Sequence, residues 1–207
     1  MAAALPRLIV ITDWSLPRET LLERLAQALA AGPEVAVQHR HPGAPVRAFL
    51  EEARALRALC AARGNALFVN GRLDVALRVG AHLHLPAGGP RAAEARPHLP
   101  EGRWISAAVH DEAEARDAEG ADFALVSPVF APGSKPEDTR PPLGPEGFRG
   151  LARRLSCPAY ALGGMDADGA GRLGGVAGVA AITPVLRAAD PRRAAAELLL
   201  VLGKAAG

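Results

Sequence analysis

Residues 157–184, CPAYALGGMDADGAGRLGGVAGVAAITP, decide how this chain folds. Ala159 to Leu162 is a short apolar run closed by Gly163 and Gly164. A Gly/Ala-rich helical stretch follows, and Val179 to Ile182 is a second apolar run, closed by Thr183. Each run is too short for a helix and is bounded by turn residues, the pattern of a strand buried on both faces. Strand, helix and strand in that order make a parallel βαβ unit. The small and hydroxyl residues fall just after the carboxyl ends of the strands, where backbone N–H groups and helix starts can face an anion. A glycine pair also serves simply as a tight turn, so the motif alone leaves both uses open.

The same unit repeats towards the N-terminus. The predicted strands are Leu8 to Ile11, Val35 to Val37, Leu67 to Val69, Ala81 to Leu85, Trp104 to Val109 and Ala121 to Val126. Helical stretches lie between them: one starting near Ser15 and Pro17 with an apolar face of Leu21, Leu22, Leu25 and Leu29, one through Phe49, Leu50 and Leu56, and Arg72 to Val79. A weak helix follows Pro90, and an acidic start at Asp111 and Glu112 suits a helix dipole. Asp190 and Pro191 open the last helix, with Leu198 to Leu202 on its apolar side. Eight strands alternating with eight helices imply an α/β fold, a single parallel eight-stranded (β/α)8 barrel over residues 1–207. In such a barrel the site is built at the carboxyl ends of the strands. Polar residues recur there: Asp13, Gln38, Arg40, Asn70, His84, His110, Ser127 and Thr183.

Composition narrows the partners. With 24 basic and 22 acidic residues and no basic stripe interleaved with aromatics, nucleic acid is not an expected partner. Cys60 and Cys157 lie far apart without a C-x-x-C, no signal-peptide pattern opens the chain and no apolar run has membrane-spanning length, so a cytoplasmic protein without a membrane partner is expected.

Several segments are similar to thiamine phosphate synthase and its relative TenI: LIVITD (8–13), VQHR (37–40), FVNGRLDVAL (68–77), HLHLP (82–86), AAVH (107–110), ADFALVSPVF (121–130), PPLGPEGFRGL (141–151), ALGGM (161–165) and GVAAIT (178–183). The resemblance implies a thiamine biosynthesis barrel that binds a small phosphorylated thiazole, with Gly163, Gly164 and Thr183 at the phosphate. Gln38 and Arg40, which share a face with period two, are candidates to hold the substrate carboxylate or the phosphate, and Asn70 and Ser127 are further substrate-binding candidates. The resemblance also implies association into homo-oligomers, although no surface stripe in the sequence specifies one.

The chain departs from the synthase pattern where that enzyme holds magnesium. Gly71 stands where the synthase has an Asp, and Pro86, Ala87, Gly88 and Gly89 follow strand four without an acid. Pro42 and Ala108 replace a Lys and a Ser, and only Ser134 and Lys135 remain of a hydroxyl-rich loop. Asp74, inside a helix face, and Asp111, a helix-start residue, are not expected to be ligands. These departures favour a TenI-like thiazole tautomerase with no cofactor or metal ligand, magnesium being needed only if the synthase alternative holds. A barrel that binds a thiamine precursor without turning it over is a third reading. TenI's proton-transfer His is replaced by Pro128, leaving His110 or His84 as acid/base, with Lys135 as a further catalytic candidate that would clamp an anion. His82 shares a strand face with His84, and His41 is expected in solvent. The segment from Ala131 to Gly144 stands where a lid over the mouth would be expected.

Overall fold

The computed structural model describes residues 4–131 and 140–204. The strands are β1 (Leu8–Ile11), β2 (Val35–His39), β3 (Leu67–Asn70), β4 (His82–Leu85), β5 (Ile105–Val109), β6 (Phe123–Val126), β7 (Ala159–Leu162) and β8 (Gly178–Ala181). The described helices are α1 (Arg18–Leu29), α2 (Val46–Ala61), α3 (Leu73–Val79), α4 (Ala92–Ala95, continued by a 3₁₀ turn), α5 (Glu112–Asp117), α6 (Gly144–Ala152), α7 (Ala167–Leu173), α8 (Thr183–Leu186) and α9 (Pro191–Lys204). Each strand pairs in parallel with the next. Leu8 of β1 then lies opposite Val179 of β8, closing the barrel in chain order.

Closure explains why the strands are apolar on both faces. Leu8, Val10, Val35, Val37 and Val69 point outward and pack on helix residues such as Leu21, Leu25 and Leu56. The alternate residues Ile9, Ala36, Phe68, Phe123 and Tyr160 point inward. The amino-terminal half of the interior is filled by rings. Phe68 meets Phe123 edge-on at 5.4 Å, Phe123 stacks on Tyr160 at 4.4 Å, and His82 stacks on Trp104 at 4.4 Å. Burying each large apolar ring contributes roughly 2–3 kcal/mol. The Tyr160 hydroxyl donates to the Pro6 carbonyl at 2.6 Å, and burial pushes its pKa up to about 12. This packed floor leaves the carboxyl ends of the strands as the open end of the interior.

Several expected boundaries move. β4, β5 and β6 start a residue or two later than Ala81, Trp104 and Ala121, because the preceding donors are used elsewhere. The Ala81 N–H closes α3 on the Ala76 carbonyl, and the Trp104 N–H donates to His82 Nδ1. Nine helices rather than eight are found among the described residues: Thr183 does not close a strand but opens α8, with Pro184 in its first turn, where a missing N–H costs nothing. Ser15 does not cap α1; its hydroxyl and N–H both go to Asp13.

Candidate active site

At the carboxyl ends of the strands lies a cavity of about 380 Å³. Gln38 and Arg40 reach it from the end of β2, Asn70 from β3, His84 from β4, His110 and Ser127 from just beyond β5 and β6, and Gly163, Gly164 and Thr183 from beyond β7 and β8. All nine come from the positions expected in the sequence, and the fold brings them to one cavity. Lys135, like Ser134, lies outside the described residues. Asp13 does not line the cavity. Burial alone would raise its carboxyl, but hydrogen bonds from Ser15 and Arg187 outweigh that and hold it below the usual carboxylate range. Arg140 and Met165 also line the cavity, although neither was expected to be a site residue. Neither ends a strand, so no periodicity marked them.

The glycine pair is required by space as well as by backbone. Gly163 and Gly164 have φ of +96° and +59°. A Cβ on Gly163 would meet Pro128 at 3.0 Å, and one on Gly164 would meet the Phe130 Cβ at 2.8 Å. The Phe130 N–H donates to the Gly163 carbonyl and the Val129 N–H to Leu162, tying this turn to the segment after β6. The turn therefore presents bare backbone to the cavity beside Thr183.

The histidines divide by position. Within the interior, His84 is 4% exposed and its Nδ1 lies 2.9 Å from the Ser106 hydroxyl. His110 sits at the entrance to α5, where a single Glu114 oxygen, Oε2, accepts from both its backbone N–H at 2.7 Å and its Nδ1 at 2.6 Å. Gln38 is 2% exposed, and its Oε1 accepts no hydrogen bond from any described residue. That leaves an acceptor at the wall for a ligand donor.

Outside the barrel wall, His39 packs on Phe49, and its Nε2 lies 3.2 Å from the Phe49 carbonyl. Burial lowers its pKa to about 4, so its 3.5 Å contact with Glu52 involves a neutral ring and is not an ion pair. His41, expected in solvent, is partly exposed but also packed. Its ring stacks on Trp14 at 5.1 Å, and its Nδ1 lies 3.0 Å from the buried Glu52 carboxylate.

The magnesium implied by resemblance to the synthase does not fit this donor set. No Asp or Glu is among the described residues lining the cavity, and the described residues contain no group of three His, Cys, Asp or Glu able to hold a metal. A hard divalent cation is held chiefly by carboxylates. Asp74 does not lie inside a helix face as expected: it sits exposed in the first turn of α3, held bidentately by Arg72. Asp111 caps α5 by accepting from the Ala113 and Glu114 N–H groups.

Comparison with known proteins follows the same outline. The sequence profile described as "Thiamine monophosphate synthase" matches residues 8–185. A thiamine-phosphate synthase from Chloroflexus aurantiacus is 35% identical over 93% of this chain and 90% of its own length. One from Methanoculleus marisnigri is 37% identical over 92% of each. Among solved structures, a thiamine phosphate pyrophosphorylase from Pyrococcus furiosus superposes with a TM-score of 0.82 at 33% identity, covering 97% of both chains. KGPDC from Streptococcus mutans, at 16% identity and TM-score 0.70, shares the fold alone.

Proposed function

The chain belongs to the thiamine monophosphate synthase family, and from that premise we propose that its barrel mouth binds a phosphorylated thiazole and moves a proton within it. The Gly163–Gly164 turn and Thr183 would take the phosphate through backbone and hydroxyl donors, which need no metal. Arg40, also on the cavity lining, suits a substrate carboxylate because its donors form a planar fork. His110 would take a proton from one ring position and return it to another, giving the aromatic isomer without a leaving group. His84, joined to Ser106 in the interior, would be held as a donor or acceptor to the ring. The observation that carries this reading is the lining itself: arginines, histidines, amides and a glycine turn, with no carboxylate among the described residues.

The second reading is the condensation of a hydroxymethylpyrimidine diphosphate with a thiazole phosphate. The names of the relatives favour it over the isomerisation. One pair of assays separates the two. Purified protein is given the thiazole phosphate carboxylate tautomer, and formation of the aromatic isomer is followed with and without EDTA. A parallel sample receives both condensation substrates and magnesium, reading out thiamine phosphate. Isomer formation unaffected by EDTA is the expected result. EDTA-sensitive thiamine phosphate without isomerisation would overturn the proposal in favour of the synthase, and binding without either product would leave a silent binder.

A further inference from the structure

We propose that Glu114 is the positioning residue of His110, fixing which ring nitrogen faces the cavity; this rests on the reading of His110 as the proton carrier. The arrangement is local and built in two steps. Asp111 caps α5 by accepting from the N–H groups of Ala113 and Glu114 at 2.8 and 2.9 Å, which sets the backbone of the first turn. Glu114 then reaches back four residues, and its Oε2 accepts from both the main chain and the ring of His110. A carboxylate can only accept, so Nδ1 carries a hydrogen and the neutral ring keeps its lone pair on Nε2. His110 lines the cavity, whereas Glu114 does not, so the carboxylate acts through the imidazole and not on a ligand.

A purely structural use of Glu114 would be helix capping, but Asp111 already performs that task. The bond to the backbone N–H fixes the main chain of His110, and the bond to Nδ1 fixes the orientation and tautomer of its ring. The carboxylate of Glu114 thereby fixes both the backbone and the ring of His110.

The test is read first without any substrate. In the full-length protein labelled with ¹⁵N-histidine, at alkaline pH, the ring correlations of His110 should show the Nδ1–H tautomer. Glu114→Ala should switch it to Nε2–H, and Glu114→Gln, which keeps an acceptor, should retain Nδ1–H. An Nε2–H ring in the native protein, or an unchanged tautomer in Glu114→Ala, would overturn the proposal. In the isomerisation assay kcat should fall about 100-fold in Glu114→Ala and about 10-fold in Glu114→Gln, with KM within about twofold. A loss confined to KM and thermal stability would mark a structural residue and would also overturn it. If the native protein shows no isomerisation, the reaction reading falls while the tautomer measurement still decides the role of Glu114.

Discussion

Two histidines on one strand, His82 and His84, face the same side of the sheet two residues apart yet occupy different chemical worlds. His82 lies in the ring-packed floor, stacked on Trp104 and beside Phe68, accepting the Trp104 N–H, and burial lowers its pKa to about 4. His84 is one step nearer the mouth, bonded to Ser106 on the cavity wall. Depth in the barrel, not residue type, separates scaffold from site. The floor is closed by aromatic packing and governs stability. The mouth is lined by polar ends and backbone, where the proposed ligand would bind.

That division can be broken most severely at the floor. Gly178→Ala would place a Cβ 2.5 Å from the Tyr160 ring and 2.7 Å from the Arg7 carbonyl. Because backbone and a wedged ring cannot both yield, urea unfolding should show a loss of roughly 3 kcal/mol, while the folded fraction keeps its affinity for thiazole phosphate. Gly164→Ala should do the reverse. Its Cβ would crowd Phe130 at a backbone angle that side chains rarely adopt, costing about 1–2 kcal/mol of stability. By calorimetry, thiazole phosphate should bind about 10- to 100-fold more weakly, as expected when a backbone anion cradle is displaced. Equal losses of stability and affinity in both variants would erase the distinction between floor and mouth.

The smallest effect sharpens the comparison of the histidines themselves. Burial holds His82 and His39 neutral in the folded protein, each at about 4 against 6.5 for the free ring. The unfolded chain therefore takes up protons first. The resulting stabilisation is complete above pH 6.5 and is lost as pH falls towards 4, by up to about 1.4 kcal/mol per pH unit for each ring. His82→Gln keeps an acceptor for the Trp104 N–H and removes one titration. Denaturant unfolding at several pH values should then show a shallower loss below pH 6.5 than in the native protein, and an unchanged slope would mean that His82 is not held neutral.

How much of this was legible varies with the range of the interaction. The eight strands were readable because burial on both faces makes each a continuous apolar run between turn residues. The nine described site positions were readable because they end those runs. Glu114 was missed, although its spacing of four from His110 on a helix start is a local signal of contact. The Asp13 carboxylate was misplaced for the opposite reason: its partner Arg187 is distant in sequence and meets it only because β8 closes against β1. The ring contacts of His41 likewise depend on Trp14 and Glu52 arriving from two other segments.

The order of strands and helices, the barrel class and the family are written in the chain, since each rests on local patterns or on matched segments along it. Tertiary structure alone decided which polar strand-end residues share the cavity, that Gly163 and Gly164 must lack side chains because the segment after β6 presses on them, and that His82 is floor while His84 is wall. The physical reason is closure. Parity along a strand says which residues share a face, but only the register of eight paired strands sets how deep each lies and what stands opposite.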